Sequence, residues 1–227
     1  MADTRFLFVS ATRGSEHEFF ERSALGRSLI QAHGEVPAVD VRVYPGNREG
    51  LPVLYNDAIR AAHPEAVLVF AHDDLLLVDF MWPEKLVAAL DRFAIVGLVG
   101  NRRRAPRQPT WAHGESFERD LENLSGIIGH GMGFPCAIRR LGDSPAECLL
   151  LDGVFLAMRV STLRSQMLLF DERFRFHFYD MDFCREAARK GVRMGTFPIF
   201  AIHESVGGFG SEAWQEDRRK YLKKWGD

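Results

Sequence analysis

The chain has 227 residues, 46% of them hydrophobic, which is enough apolar side chain to fill the core of one sizeable domain. Lys and Arg number 29 against 31 Asp and Glu, and the resulting formal charge of -2 excludes a strong overall field for nucleic acid or membrane surfaces. The 3 cysteines, Cys136, Cys148 and Cys184, are dispersed without Cys-x-x-Cys spacing; they argue against a disulfide framework or structural zinc and favour a reducing, cytoplasmic setting.

The N-terminal stretch MADTRFLFVSATRG lacks a signal-type apolar segment, and nowhere do about 18 apolar residues run together. No transmembrane segment is expected, while peripheral contact with a membrane through a partner or a lipid-linked substrate stays open. Arg5 to Thr12 reads as a buried strand running into a loop, Glu16 to His33 as a helix, and Ala38 to Pro45 as a second strand ended by Pro45 and Gly46. LPVLYNDAIRAAHPE carries Leu54, Ala58, Ile59 and Ala62 at helical spacing, with Pro64 closing it. Ala66 to Ala71 is a third strand, WPEKLVAALDRF a helix with Leu86, Leu90 and Phe93 on one face, and AIVGLVG a fourth strand.

This alternation predicts an α/β fold with a mostly parallel central sheet and helices on both faces. Ligands in such sheets lie beyond the carboxyl ends of the strands, so Ser10 to Arg13 and His72 to Asp74 are expected to line one crevice. Residues 101–150, rich in Gly, Pro and Arg, read as loops and short strands. LLLDGVFLAMRV then reads as a central strand, FYDMDFCREAARKG as a helix stopped by Gly191, and VRMGTFPIFAIHES as one or two closing strands. SEAWQEDRRKYLKKWGD completes the chain as an amphipathic helix. Without a repeat or linker, residues 1–227 are expected to form one domain.

Three polar clusters could carry chemistry. In AVLVFAHDDLLLVDF an apolar run stops at His72, Asp73 and Asp74; unpaired buried carboxylates are costly, so acids at a strand end suit a divalent cation shared with phosphate oxygens. A turn cap at Asp73 with a solvated Asp74 is the competing account. Asp180 and Asp182 open a predicted helix among His177, Phe178, Tyr179 and Phe183, where an aromatic surround would raise carboxylate basicity as a general base needs. Favourable placement at a helix N-terminus explains one of the two without function. His203 and Glu204 end an apolar strand before Gly207, Gly208 and Gly210; an imidazole there could join a carboxylate on a metal or be structural, and no P-loop lysine accompanies the glycines.

In order, VFAHDD, LDGVFLAMR, FDERFRFHFYDMDFCREAARKGVRMG and IHESVGG followed by WQEDRRKYLKKW resemble the family-two glycosyltransferases of the GT-A fold. The resemblance covers about residues 50–225, with Asp180 to Gly191 its most specific segment. It implies a nucleotide-binding half over 1–100 and an acceptor-binding half over 101–227. His72, Asp73 and Asp74 then stand at the family's metal motif, with Asp74 matching its second acid and His72 replacing the first. Asp180 matches the catalytic base and Tyr179 departs from the acid before it. His203 falls at a further metal ligand, and Asp152 with Gly153 in the strand lining the sugar site.

Thr12 and Arg13, at the end of the first strand, could contact the nucleotide base and phosphates, and Asn56 resembles an Asn common near the nucleotide in this family; Tyr179, Asp182 and Trp214 are expected near the substrate, with Trp214 or the glycine-rich turn before it as a lid. NRRRAPR, Asn101 to Arg107, could grip the diphosphate or an anionic acceptor, or be a solvated charge run. The implied activity is inverting, metal-dependent transfer (Mn2+ or Mg2+) from a nucleotide diphosphate sugar, UDP-linked by family frequency, to a glycan, lipid-linked or protein acceptor. A sugar nucleotidyltransferase is disfavoured because SATRGSEHEFF holds only 1 glycine. A non-catalytic nucleotide-sugar-binding module is the remaining rival, given His72 and Tyr179. The sequence leaves the oligomeric state open.

Overall fold

The computed structural model describes residues 4–32, 39–205 and 209–227, so His33, Ala38, Gly207 and Gly208 of the expected elements lie outside the described residues. The first strand, β1 (Phe6–Ala11), leads to α1 (Glu16–Arg22), whose N-terminus is closed by a capping box between Ser15 and Glu18. The predicted helix from Glu16 does not run through: it stops at Ser23 and restarts as α2 (Ala24–Ala32). The Ser23 hydroxyl is the reason, since it donates to Phe19 O at 2.7 Å and accepts from Gly26 N at 2.9 Å, ending one helix and capping the next. Then follow β2 (Val39–Tyr44), α3 (Leu51–Ala61), β3 (Val67–Ala71), β4 (Leu75–Leu77) and α4 (Trp82–Arg92).

The chain continues through β5 (Ile95–Gly97), β6 (Val99–Asn101), β7 (Leu124–His130), β8 (Ala137–Gly142), β9 (Ala146–Cys148), β10 (Leu150–Leu151) and β11 (Phe155–Arg159). The last elements are α5 (Val160–Ser165), α6 (Tyr179–Arg189), β12 (Met194–Thr196), β13 (Ala201–His203) and α7 (Glu212–Trp225). Seven strands form one sheet in the order β2-β1-β3-β11-β5-β12-β9. It is parallel from β2 to β3; β11 then inserts antiparallel to both β3 and β5, so the expected parallel character holds for β2, β1 and β3 and again for the pair β5 and β12. A second sheet runs β10-β6-β7-β13-β4, with β8 paired to β7.

Two predicted strands divide between the sheets. AIVGLVG splits at Leu98 into β5 in the first sheet and β6 in the second, and LLLDGVFLAMRV splits at a turn into β10 and β11. Close backbone packing imposes the first break: Gly126 of β7, at φ +103, would place a Cβ 2.1 Å from Leu98 O.

Strand β3, in the middle of the first sheet, is apolar throughout. Leu68 and Phe70 point into a core built with α3, α5 and α6, whereas Val67, Val69 and Ala71 face a second core beneath α2 and α4. Period-two alternation thus serves two covered faces, and the strand reads as a continuous hydrophobic run. The carboxyl ends of β1, β2 and β3 all open toward one end of this sheet, where the polar residues collect.

Candidate active site

His72, Asp73 and Asp74 form the turn between β3 and β4. The backbone of this turn is tied to three other segments: His72 N donates to Val154 O (3.1 Å), Leu25 N to Asp73 O (3.1 Å) and Glu204 N to Asp74 O (3.0 Å). The side chains are thereby held apart and directed to different places. Asp73 lines a crevice of about 910 Å³ together with Thr12, Arg13, Asn47, Arg48 and Arg175. His72 lines a second cavity of about 350 Å³, shared with Asp152, Gly153, Asp180, His203 and Trp214. The expected single crevice is therefore two adjoining ones, with the HDD turn between them.

One atom each of His72, Asp74 and His203 lie within 4.8 Å of one another. Asp74 Oδ1 is buried without a hydrogen-bond partner among the described residues, 3.3 Å from His203 Nε2 and 4.0 Å from His72 Nδ1. Burial works against ionisation of Asp74, but His203 outweighs it and holds the carboxyl down at about 2. Burial likewise opposes protonation of His203, and Asp74 reverses that, raising its pKa. Burial lowers the pKa of His72, against the pull of Asp74.

The tautomer of His72 follows from counting protons. Tyr179 OH has one proton and donates it to Gly153 O at 2.9 Å; its oxygen lies 3.0 Å from His72 Nε2, which must then be the donor. Neutral His72 consequently aims the Nδ1 lone pair at Asp74 Oδ1. Two electron-rich atoms face each other with an imidazole alongside, and this donor set of nitrogen and oxygen fits a divalent transition cation. His72 thus joins Asp74 and His203 in the donor set.

Tyr179 is buried at the start of α6, and its position depends on its neighbours on both sides. Phe178 caps the helix at φ +61, a conformation unfavourable for a bulky residue and held here by packing against Trp214 and Tyr221. Gly153 permits the other contact, because a Cβ there would lie 2.3 Å from Tyr179 OH and 3.0 Å from Asp180 Cβ. Asp152 and Gly153 belong to the turn between β10 and β11 and not to a strand, since Asp152 Oδ1 accepts from Val154 N at 3.0 Å.

Asp180 is the most perturbed carboxylate in the cavity. Burial, reinforced by Asp152, pushes its pKa up to about 7, although N–H groups of Met181 (2.8 Å) and Gly153 (3.1 Å) favour the charged form. Asp182 has a different fate. Two residues along a helix rotate a side chain by about 200°, and Asp182 points into the interface with α7, where it is 1% exposed and paired with Lys224 Nζ (2.7 Å) and Trp225 Nε1 (2.8 Å). It does not reach the cavity, which corrects its expected substrate contact.

Asn56 also departs from expectation. Its amide donates to Phe170 O and accepts from Phe170 N, both at 2.9 Å, and the buried side chain fastens α3 to the loop before α6, outside both cavities. The NRRRAPR arginines are tied down locally. Arg102 donates to Glu122 O, while Arg103, Arg104 and Arg107 pair with Asp120, Asp227 and Glu115, leaving none aimed at the crevice. Trp214, 7% exposed at the first turn of α7, does line the cavity; of the glycines before it only Gly210 is among the described residues.

Arg48, Arg175, His130 and Phe176 line the cavities without having been singled out from the sequence. For Arg48 the missed signal is the turn PGNREG, which directly follows β2 and so lies at a strand's carboxyl end. Nothing local marked the other three, which tertiary folding brings in.

The family model for a glycosyltransferase-like family matches residues 46–225, and the chain belongs to that family. A comparison with curated proteins finds no match. Among solved structures, GalNAc-T7 with UDP, GalNAc and Mn2+ aligns at TM-score 0.55 and 11% identity, over 98% of this chain and 48% of that one. The Pyrobaculum calidifontis mannosyltransferase with GDP-Man and Mn2+ aligns at TM-score 0.51 and 16% identity, over 98% and 64%. A Drosophila galactosyltransferase with manganese, UDP-Gal and xylobiose aligns at 0.52 and 10%, over 95% and 80%. These likenesses establish the GT-A glycosyltransferase fold, with the chain spanning about half to four-fifths of those proteins.

Proposed function

We propose that this protein is an inverting, metal-dependent glycosyltransferase that moves a sugar from a nucleotide diphosphate, UDP in the first instance, to a hydroxyl of a glycan, lipid-linked or protein acceptor. The observation that carries this reading is an orphaned Asp74 Oδ1 facing His72 and His203, together with Asp180, whose pKa of about 7 suits a base, in the cavity that both histidines line. The complexes of the similar folds with Mn2+ and UDP or GDP sugars support it.

His72, Asp74 and His203 would hold a divalent cation, Mn2+ or Mg2+, which when bound neutralises charge on the departing diphosphate. Arg13, Arg48 and Arg175 line the larger crevice and would accept the nucleotide's anionic groups, with Thr12 and Asp73 beside the base or ribose. Asp180 Oδ takes the proton of the acceptor hydroxyl as its oxygen bonds to the anomeric carbon; the bond from that carbon to the diphosphate breaks, and its electron pair leaves with the phosphate oxygen. Asp152 keeps Asp180 basic, Tyr179 fixes the His72 tautomer, and Trp214 covers the acceptor side. Among the described residues no helix is long and apolar enough to cross a membrane, and the 3 thiols are free, which fits the proposed cytoplasmic setting.

Thermal shift with UDP or GDP, in Mn2+ or EDTA, tests the proposal on wild type and Asp74→Ala. The expected result is nucleotide stabilisation that requires metal in wild type and is lost in the variant, together with nucleotide release from the matching sugar donor. Stabilisation without any turnover would favour the binding module; no stabilisation by either nucleotide would overturn both.

A further inference from the structure

Among the described residues, Phe176 is the one that lines both cavities. Its ring is 48% exposed, so core packing does not account for it, and it stacks on His72 with centroids 5.5 Å apart and planes at 29°. Its neighbours divide between the two sides: Arg175 lines the large crevice and His177 the smaller cavity, where its ring meets Phe176 edge-on at 5.2 Å.

The segment is fixed at both ends. Arg175 O accepts from Leu51 N (2.8 Å), Arg175 N donates to the buried carboxylate of Asp217 (3.3 Å), and its guanidinium donates to Arg48 O. On the other side Phe178 is locked in its left-handed conformation by Trp214 and Tyr221. A half-exposed aromatic ring on a braced backbone, at the junction of a charged crevice and an aromatic cavity, forms a wall.

We infer that Phe176 is a specificity-determining partition: it confines the nucleoside end of the donor to the Arg13–Arg48–Arg175 crevice, so that only the phosphate at the cation site and the sugar pass its edge into the smaller cavity, and it keeps water entering through the open crevice off the donor's anomeric carbon. The inference rests on the transferase reading. The reaction it suppresses is donor hydrolysis, in which a water oxygen takes the acceptor's place at that carbon, its proton passes to Asp180 and the electron pair leaves on the diphosphate. Phe176 acts by position and makes no bond to the reacting atoms.

Two measurements test it. In backbone amide NMR spectra of wild type held in saturating Mg2+ and titrated with UDP or GDP, Thr12, Arg48 and Arg175 should shift while Trp111, His113 and Phe209 stay in place; in Phe176→Ala the perturbation should spread to the second group. With a cleavable donor, Phe176→Ala should raise the ratio of hydrolysis to transfer on the order of tenfold, equivalent to about 1.4 kcal/mol between two competing barriers, and Phe176→Tyr should restore the wild-type ratio. Wild-type perturbation spread over both groups, or a parallel fall of hydrolysis and transfer in Phe176→Ala, overturns the partition alone. A wild type in which neither nucleotide moves the first group overturns the donor crevice and the partition with it.

Discussion

The two cavities on either side of Phe176 are built from opposite chemistries. The larger carries three guanidinium groups, Arg13, Arg48 and Arg175, against the carboxyls of Glu49 and Asp73, on loops that are open to solvent. The smaller is walled by Trp111, His113, Phe178, Phe209 and Trp214, and its carboxylates are desolvated. An open cationic groove attracts and neutralises an anion, whereas an aromatic enclosure strengthens every remaining charge interaction and lifts Asp180 toward neutrality. In the proposed scheme nucleotide affinity draws on the larger cavity and reactivity toward a hydroxyl on the smaller, so substitutions in each should have separable effects.

The strongest test of that separation is Asp180→Asn. Transfer should fall by about 10²–10⁴, the usual contribution of a positioned base, while metal-dependent stabilisation by UDP or GDP is retained. Equal loss of nucleotide binding would mean that the two cavities are not functionally distinct. The wild-type rate should rise with pH through about 7 as Asp180 loses its proton, and a pH profile of kcat/KM reads this directly. Folding supplies an independent check on the sign. A carboxyl with a raised folded-state pKa favours the native state fully below its unfolded pKa and loses that contribution as pH rises through the folded value. The melting temperature of Asp180→Asn should therefore gain on wild type between pH 4 and 8, the direction in which an active-site charge is given up for stability.

A smaller effect is expected at Tyr179, which contacts no substrate in this scheme. Tyr179→Phe removes the acceptor for His72 Nε2–H and the hydroxyl bond to Gly153 O. Loss of such an outer partner typically weakens metal binding 10–100-fold, so the Mn2+ concentration needed for half-maximal activity should rise while activity at saturating Mn2+ largely returns. A loss that excess Mn2+ does not repair would place Tyr179 in the acceptor cavity's chemistry and not in support of the cation.

The same contrast explains what the sequence disclosed. β1, β2 and β3 announce themselves through local apolar runs, and their carboxyl ends marked Thr12, Arg13 and the HDD turn without knowledge of tertiary contacts. Helix phase alone separates Asp180 from Asp182, so that distinction was legible in principle in the residue spacing. Asn56 was not, because its polar side chain is satisfied by Phe170, more than 100 residues away, in a loop whose path no local pattern encodes. Nor was the pairing of Gly153 with Tyr179, or the arrival of Phe176 between the cavities. The split of AIVGLVG into two sheets likewise depends on Gly126 approaching from β7. Long-range closeness, not residue type, is the information missing from a single chain.

The mildest prediction concerns the open side. Arg48 is exposed, and its backbone carbonyl, not its guanidinium, is held by Arg175. An exposed guanidinium meeting a phosphate is screened within about 10 Å at 0.1 M salt, so Arg48→Ala should weaken UDP or GDP binding only severalfold, on the scale of about 1 kcal/mol, with most of the difference gone at 0.5 M NaCl. Arg48→Lys should recover part of the affinity through charge but not the bidentate geometry. Isothermal titration across a salt series measures both. A salt-independent loss would indicate that Arg48 is held in a desolvated contact, and the larger crevice would then resemble its enclosed neighbour more than its exposed surface suggests.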